Sequence, residues 1–344
     1  MKKRFTSFAA AFALVAAAIL SCNKHDGESV ESGDSSQEQS DSVTLSISVS
    51  NAYTKSTADW YDDEISSLSA YIFDADGALA ASGTVSKATS LDVTCTTGSG
   101  KTIYVIANKT LSDINTLSDI LTATSSLTDN TSSSFVMSGS LLDTEIQSSS
   151  SFNIPISRAA AKVSIDDVIN EMSDPAYQDV TFTVAGIYLL NAPIGDYLFC
   201  SADSLAYASD ISWGNKGKYD SNYSTYLTDT VGKEISYGSS LSKATSDYVH
   251  TFYCYPNPTE MDETAGEATE YMTRLVVEVL LGTQTYYYPI TLESVERNRW
   301  YHFTSFTIRL RGSTDPNQPI TDAAVEYSVT IKDWVEVDMG EQEI

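Results

Sequence analysis

Alternation of apolar and polar residues dominates the chain from residue 43 onward and predicts β-strands. The clearest case is the stretch 43–50, whose apolar positions alternate with Thr or Ser and are Val43, Leu45, Ile47 and Val49. Because successive side chains of a strand point to opposite faces, this spacing gives the strand one apolar face and one hydroxyl face. We therefore expect the apolar face to pack against a hydrophobic core.

Short segments with the same character follow at regular spacing along the chain. The predicted strands are 65–73, 91–95, 101–107, 152–156, 161–165, 180–190, 249–255, 273–281, 285–290, 300–310 and 325–339. A helix-like spacing of Leu and Ile over 111–127 predicts one short helix followed by a loop. Many short strands with few helices favour an all-β chain made of two antiparallel β-sandwiches in tandem.

Changes in composition suggest where the domains begin and end. Residues 22–42 contain almost no apolar side chain and predict a flexible acidic tether. The polar segment 170–175 reads as a linker, so we place an N-terminal domain at 43–167 and a C-terminal domain at 168–344. Within the second domain, residues 201–247 form a long insertion rich in Tyr, Asp, Gly and Ser.

The N-terminus has the features of an export signal. Three basic residues at 2–4 precede a short apolar stretch at 8–20, which predicts a signal peptide over 1–21. Ile19-Leu-Ser-Cys22 resembles the cleavage and lipidation box of bacterial lipoproteins, which makes Cys22 the predicted lipidation site. The alternatives are a plain signal peptide that ends near a Cys, or a transmembrane anchor. The apolar stretch is short for a span.

Charge and cysteine content narrow the partners and the compartment. The net charge is −26 at pH 7, and no basic cluster stands out beyond residues 2–4, which argues against nucleic acid as a partner. Once Cys22 is assigned to lipid, Cys95, Cys200 and Cys254 remain. Cys200 and Cys254 can pair in an oxidising compartment. The alternative is that all three are buried free thiols.

Residues that could carry catalysis or hold a metal are scarce. Of the three histidines, His25 lies in the tether, whereas His250 and His302 lie within predicted strands. The segment 98–102 (Gly-Ser-Gly-Lys-Thr) lacks the spacing of a phosphate-binding loop and reads as a hairpin turn. Acidic neighbours such as Asp62 and Asp63 are expected by chance among 46 acidic residues. We predict no cofactor, no metal site and no enzymatic activity.

The loop behind the first strand contains an isolated base. Lys55 is the only basic residue of the segment 51–58, and an acidic run follows at 59–64. A protease cutting between Lys55 and Ser56 would separate the strand 43–50 from the rest of the domain. The strand could then be lost.

Several stretches, taken in order, resemble the fimbrillins, or type V pilins, which are lipoprotein-derived subunits of the major and minor fimbriae of certain anaerobic bacteria. These stretches are Leu45–Phe73, Ile156-Ser-Arg-Ala-Ala-Ala-Lys-Val163, Phe252-Tyr-Cys-Tyr-Pro-Asn257, Tyr287-Tyr-Pro-Ile290, Arg297-Asn-Arg-Trp-Tyr301, Gly312-Ser-Thr-Asp-Pro316 and Val329-Thr-Ile-Lys-Asp-Trp334. Each piece alone is unspecific, and the ordered set covers most of the mature chain. The resemblance implies transthyretin-like sandwiches and an adhesive fimbria at the outer membrane surface.

The resemblance also implies a route of maturation. Fimbrillin precursors reach the outer cell face as lipoproteins carrying palmitate, so the membrane contact is only through lipid. A trypsin-like protease, usually specific for Arg, removes the first strand, and a strand from another copy or a related pilin fills the groove. In this chain Lys55 occupies the place of the usual Arg. A host or bacterial surface ligand is a further implied partner.

The C-terminal segment 325–344 is the natural donor strand under this resemblance. Its alternating apolar residues are Val325, Tyr327, Val329, Ile331, Val335 and Val337. The alternative is an ordinary edge strand that completes its own domain. For the whole protein, three alternatives to a stalk subunit stay open. They are an anchor subunit, a tip subunit, or a surface glycan-binding lipoprotein that uses Trp60, Trp213 and Tyr residues.

Overall fold

The computed structural model describes residues 41–51, 64–131, 133–199, 212–220, 222, 224–244, 249–257, 272–320 and 323–334. The strands in the first part of the chain are β1 (Ser42–Asn51), β2 (Ser67–Phe73), β3 (Leu79–Ser86), β4 (Ser90–Thr96), β5 (Gly98–Ala107), β6 (Thr124–Ser126), β7 (Met137–Ile146) and β8 (Ser151–Arg158).

Thirteen more strands follow. They are β9 (Ala161–Ile165), β10 (Val168–Asn170), β11 (Phe182–Leu190), β12 (Ala192–Pro193), β13 (Gly195–Tyr197), β14 (Trp213–Gly214), β15 (Thr228–Glu234), β16 (Ser239–Ser240), β17 (His250–Cys254), β18 (Arg274–Leu281), β19 (Gln284–Thr291), β20 (Arg299–Ile308) and β21 (Val325–Asp333). The helices are short: α1 (Leu117–Leu121), α2 (Pro175–Gln178), α3 (Ser224–Leu227), α4 (Leu241–Ala244) and a 3₁₀ turn at Leu127–Asp129. The predicted all-β class is therefore confirmed.

The first seven long strands form one folded sheet around an aliphatic core. Their order is β3-β2-β5-β7-β8-β1-β4. β7 and β8 pair at only two positions, Met137 with Arg158 and Ser138 with Ser157, and then diverge. The sheet therefore splits into a four-stranded layer, β3-β2-β5-β7, and a three-stranded layer, β8-β1-β4. Side chains from both layers meet in a single buried cluster, which we call the first core.

The remaining strands form a second sandwich. One sheet centres on β20, which pairs with β21 along one edge and with β9 and β10 along the other. The facing sheet has the order β15-β11-β18-β19. Apolar side chains of both sheets form a larger cluster that includes the tyrosines Tyr255, Tyr288 and Tyr301, and we call it the second core.

Most predicted strands are present. Among the observed strands of seven or more residues, three were missed. β3, β7 and β15 had no predicted counterpart, and β15 lies inside the segment predicted to be an insertion. Their sequences show why: β3 and β15 expose alternate residues and bury none fully. β7 is mostly exposed beyond Gly139. Strands that bury little carry little apolar signal.

Two other predictions can be compared with the structure directly. The helix expected within 111–127 is α1, whose N-cap Thr116 and Asp119 form a reciprocal capping box. The segment 98–102, predicted to be a hairpin turn, is instead the start of strand β5. β4 pairs with β1 whereas β5 pairs with β2 and β7, so the two strands do not form a hairpin. β9, which precedes the predicted boundary at 167/168, pairs with β17 and β20 in the second sandwich.

Candidate functional site

β1 is the middle strand of the three-stranded layer. It pairs antiparallel with β4 over seven residue pairs and parallel with β8 over six. Both of its edges are therefore hydrogen-bonded to other strands. Removing β1 would leave β4 and β8 separated by a slot one strand wide, with unpaired backbone groups on both walls.

The apolar face of β1 belongs to the first core. Leu45 and Ile47 are 0% exposed, and Val49 is 8% exposed. Fully burying three such side chains contributes about 5–9 kcal/mol before the entropy cost of ordering. Val43, at the start of the strand, is half-buried against the same cluster. The four residues predicted to form the displaced strand therefore lie in or against the first core.

The other face of β1 is polar and carries no charge. Thr44 and Ser46 are exposed, and Ser48 donates a hydrogen bond to the carbonyl oxygen of Phe152 at 3.3 Å. A replacement strand would therefore need alternating apolar side chains on one face, and on the other only side chains that tolerate water. The inner face would then decide which strands fit.

A buried thiol lies beside β1. Cys95 on β4 is directly opposite Val43 and is a free thiol in the first core. Burial raises the pKa of the Cys95 thiol, although nearby Lys101 opposes this shift. Cys254 is also a free thiol, buried in the second core, where loss of solvent raises its pKa to about 12. Cys200, its predicted partner, lies outside the described residues.

β21 has the same alternating pattern as β1 but an edge position. It pairs with β20 alone, through nine residue pairs between Val325–Ile308 and Asp333–Arg299. Val325 is buried, yet Tyr327, Val329 and Ile331 are 45%, 39% and 57% exposed. The Tyr327 ring lies against Phe303 and Phe306, with centroid distances of 5.9 and 6.4 Å. The predicted donor residues within β21 thus form an apolar strip that its own sandwich covers incompletely.

Charged pairs fasten both ends of β21. Glu326 accepts a hydrogen bond from Arg309 at 2.7 Å, and Asp333 forms an ion pair with Arg299. Near the same end, the Lys332 ammonium lies 3.9 Å from the ring centroid of Trp300. Exposed ion pairs of this kind contribute up to about 1 kcal/mol each. They therefore add little to the free energy of unfolding and mainly hold β21 in register with β20.

Trp334, the residue after β21, is held in a cluster that we call the Trp334 clamp. Trp334 is 3% exposed. Its N–H donates to the carbonyl oxygen of Asn298 at 2.9 Å, and its own carbonyl oxygen accepts from Nη1 of Arg158 at 2.9 Å. The ring lies against Phe135 and Tyr253, with centroid distances of 4.8 and 5.5 Å.

The clamp gathers residues that had carried the family resemblance. Arg158 comes from the segment 156–163, as does Lys162, whose ammonium lies 5.8 Å from the centroid of the Trp334 ring. Asn298 comes from 297–301 and Trp334 from 329–334. Sequence reasoning identified these stretches separately and did not predict that they meet. Arg158 and Trp334 are 176 positions apart, so no local pattern could have linked them.

Several predicted site residues lie outside the described residues. They are Cys22, Lys55, Ser56, Cys200, Val335 and Val337. The described flanks of the predicted cleavage loop are Asn51, paired with Ile156 on β8, and Glu64, whose N–H donates to the carbonyl oxygen of Ser133 at 3.2 Å. The loop thus begins and ends on residues that are themselves anchored.

The polar residues considered for chemistry have structural partners. His250 is buried with Nδ1 2.7 Å from Oδ2 of Asp229, and Nε2 of His302 lies 2.8 Å from Oδ2 of Asp166. Lys101, on β5, forms an ion pair with Asp74. Within the described ranges, no three His, Cys, Asp or Glu side chains are grouped so that they could hold a metal ion. The same ranges contain no helix that is both long and apolar enough to cross a membrane.

One family model and several solved structures are similar to this chain. Residues 42–175 match the family model of the major fimbrial subunit protein, FimA. A fimbrilin from Porphyromonas gingivalis superposes with a TM-score of 0.59 and 17% identity, covering 86% of this chain and 99% of the other. A candidate cell adhesion protein from Bacteroides eggerthii gives a TM-score of 0.65 and 22% identity, with coverages of 86% and 97%.

A third solved structure is the tip fimbrial protein Mfa3 of Porphyromonas gingivalis with a C-terminal truncation. It gives a TM-score of 0.51 and 14% identity, covering 86% of this chain and 100% of the other. No curated protein sequence matches the chain. At these identities the solved structures establish the fold, and the family model adds the sequence relationship. The predicted resemblance to the fimbrillins is confirmed.

Proposed function

We propose that this chain, whose residues 42–175 match the family model of the major fimbrial subunit protein, is a structural subunit of a cell-surface fimbria that serves adhesion. It is exported as a lipoprotein through Cys22, matured by cleavage after Lys55 and polymerised by strand exchange. In the polymer, a C-terminal strand of one subunit occupies the place of β1 in the next. The partners are other copies of the chain or related pilin subunits.

The position of β1 is the observation that carries this proposal. A strand paired on both edges and buried on one face is ordinarily a permanent part of a fold. Here it is the first described strand, and the loop behind it contains the predicted cleavage site at Lys55. Its loss would create a slot that only another alternating strand fills, because ladder hydrogen bonds and an apolar floor are both needed. A neighbouring subunit can supply such a strand from the segment 325–344.

The N-terminal residue of the protein on intact cells tests maturation directly. We expect Ser56 for a polymerised subunit. A blocked, lipidated Cys22 would instead assign the chain to the anchor of the fimbria. Lys55→Ala should accumulate full-length monomer, whereas Lys55→Arg, the matched control, should mature because it keeps a basic residue at the cut. Normal fibres from Lys55→Ala would reject cleavage at this residue unless mapping finds a cut elsewhere in the loop.

The lipid step has its own test. Cys22→Ala should stay unprocessed or leave the membrane fraction. Cys254→Ala is the control, because it changes a thiol in the second core and leaves the export signal intact. Normal surface display and assembly by Cys22→Ala would show that the lipid is not required.

A further inference from the structure

We infer that a groove between α1 and β7 is a binding site for a small amphiphilic acid, a molecule with an apolar body and one carboxylate. The groove has a volume of about 640 Å³, which is typical of small-molecule sites in proteins. It lies on the outer face of the layer β3-β2-β5-β7, which is turned away from the first core. Binding at this groove requires neither removal of β1 nor strand exchange.

Three separate segments line the groove above Tyr104 of β5. They are the end of α1 at Leu121 and Thr122, the part of β7 from Ser138 to Leu142, and residues 197–199. The last segment is attached to the first, because β13 pairs with β6 and the N–H of Leu198 donates to the carbonyl oxygen of Ala123 at 2.9 Å. The lining is therefore held in place by the fold itself.

Much of this lining is apolar and exposed. Leu121 and Leu142 are 41% and 61% exposed, although both are large aliphatic residues. Phe199 is half-buried, and its ring lies edge-on against Tyr104 with a centroid distance of 4.7 Å. Covering such side chains with the apolar body of a ligand is favourable in proportion to the area removed from water.

The hydroxyl group of Tyr104 supplies a polar contact beneath the apolar lining. Tyr104 is 5% exposed, and within the described residues its hydroxyl has no hydrogen-bond partner and retains contact with solvent through the groove. Its cross-strand partner Tyr71 differs, because the Tyr71 hydroxyl donates to the carbonyl oxygen of Leu111 at 3.1 Å. Burial raises the pKa of Tyr104, so its hydroxyl stays protonated and can donate to a ligand oxygen.

The charge of the groove favours an anionic ligand. Among the lining residues that the structure describes, Arg297 is charged and none is acidic, in a chain whose net charge is −26. The Arg297 guanidinium donates to the carbonyl oxygen of Leu198 at 3.1 Å and to Oγ of Ser138 at 3.0 Å. These bonds fix the position of the guanidinium, and carboxylates match guanidinium groups in both charge and geometry.

The polar and the apolar parts of the lining are separated along β7. Ser138, which is bonded to Arg297, and the exposed Leu142 are four residues apart, about 13 Å along a strand. An unbranched amphiphile such as decanoate can therefore place its carboxylate near Arg297 and Tyr104 and its tail toward Leu142 and Leu121.

Decanoate and decanol are the probes, because they have the same tail and differ in charge. Isothermal titration calorimetry on the purified precursor measures the Kd of each below its solubility limit. We expect decanoate to bind roughly 10-fold or more tightly than decanol, since hydrogen bonds to charged groups are the stronger ones. Equal affinities would overturn the preference for an acid, and absence of binding by both probes would overturn the site.

Tyr104→Phe removes a hydroxyl that has no partner in the described fold. The melting temperature should stay the same or rise, whereas the Kd of decanoate should increase about fivefold. Tyr71→Phe is the matched control on the neighbouring strand. It should lower the melting temperature, because the bond to Leu111 is lost, and leave the Kd unchanged. A decanoate Kd that responds to Tyr71→Phe and not to Tyr104→Phe would contradict binding in this groove.

Arg297→Gln tests the anionic end of the site. Arg297 also bonds Ser138 and Leu198, so the readout is the ratio of the two Kd values, which a loss of folded protein would leave unchanged. We expect the ratio to fall to about one, because both probes then meet a neutral side chain. A ratio that stays as in the wild type would assign the carboxylate to another cation.

Replacements at exposed residues show which apolar surface holds the tail. Leu142→Glu should weaken decanoate binding more than Leu142→Gln does, since only Glu adds a charge that repels the acid. Replacing Tyr327, Val329 and Ile331 of β21 by Thr removes a different exposed apolar strip and should leave the Kd unchanged. Binding that survives Leu142→Glu and is lost with the β21 strip would overturn the inference. Fibre assembly is scored separately on the same variants, so failure of this site would leave the proposed function untouched.

Discussion

β1 and β21 share a sequence pattern and differ in almost every structural respect. Both alternate apolar and polar residues, yet β1 is paired on two edges and β21 on one. The inner side chains of β1 are buried, whereas those of β21 are about half exposed. Pattern alone therefore identifies a strand without revealing whether its sheet continues beyond it. The number of neighbouring strands decides how much each apolar side chain contributes to the stability of the fold.

The contrast has a consequence for assembly. The strand that maturation would remove buries three side chains in the first core, whereas the strand nearest the C-terminal segment is loosely covered. Loss of β1 would uncover apolar side chains of the first core and leave backbone groups of β4 and β8 without hydrogen-bond partners. Under the proposed function, the free energy lost from the slot would drive a neighbour's segment into it. A weakly held β1 would leave little reason to polymerise.

The largest expected effect concerns Cys95, which reports whether the slot is filled. In the uncut chain Cys95 should resist thiol reagents, since it reacts only when the first core opens. After cleavage and removal of β1, its reactivity should rise by roughly 1,000-fold, equivalent to about 4 kcal/mol. Polymerisation should protect it again. Reaction with a chromogenic disulfide at pH 8 measures all three states.

Cys254 provides the matched control for that experiment. It is buried in the second core, away from the slot, so it should stay protected in all three states. If Cys95 stays unreactive after mass spectrometry shows that β1 has left, the first sandwich closes over the gap. Strand exchange would then lose its driving force.

A buried charge at equivalent positions sharpens the comparison. Ile47→Asp places a carboxylate in the first core and should cost about 3–5 kcal/mol, because an unpaired charge cannot be solvated there. Ile331→Asp changes a residue that is 57% exposed and should cost less than about 1 kcal/mol. Urea unfolding of the uncut chain measures both. Similar losses of stability in the two variants would mean that another surface covers β21 in solution.

The sequence allowed β1, β9 and the long central strands to be predicted because each buries a contiguous or alternating apolar set. β3 and β15 escaped because they bury no residue fully. The Trp334 clamp could not be foreseen for a different reason. Its members were recognisable as separate motifs, but the contact between residues 158 and 334 depends on how two sandwiches meet. Periodicity describes one element at a time, whereas this contact joins residues of different elements.

Alkaline pH should separate the two sandwiches. Burial raises the pKa of both Tyr255 and Tyr301 in the second core to about 12. The described first core contains no tyrosine, although burial also raises the pKa of Tyr104 on the opposite face of its sheet. A pKa raised in the folded state gives stability that is complete below pH 10 and lost as pH rises from 10 to 12. Tyr255 and Tyr301 should each contribute about 2–3 kcal/mol to the free energy of unfolding below pH 10, and this contribution is lost by pH 12.

The second sandwich should consequently loosen first above pH 10. Tryptophan fluorescence, to which Trp300 and Trp334 contribute, should change while Cys95 stays protected. Tyr301→Phe removes one ionisable group and should flatten the alkaline limb of the stability curve, at the cost of the hydrogen bond that its hydroxyl donates to Ser294 at 3.0 Å. An unchanged alkaline limb in this variant would show that Tyr301 does not control it.

The smallest effect is expected for the exposed strip of β21. Replacing Tyr327, Val329 and Ile331 together by Thr keeps the β-propensity of the strand and removes side chains that are only half buried. The monomer should lose less than about 2 kcal/mol in urea unfolding, since only about half of each side chain's transfer free energy is at stake. The same triple replacement at Leu45, Ile47 and Val49 is the matched control and should prevent folding of the first sandwich.

The ladder of oligomers that this β21 variant gives on unheated gels shows whether the strip ever enters a neighbour's slot. If β21 stays in its own subunit, the ladder should persist with nearly unchanged heat resistance, because none of the replaced side chains then enters a neighbour. If the strip is the donor, three Thr hydroxyls would have to enter an aliphatic pocket where none has a partner, and each unpartnered hydroxyl costs about 1–3 kcal/mol. The ladder would then disappear while the monomer remained folded. A persistent ladder would leave β21 as the edge of its own sheet.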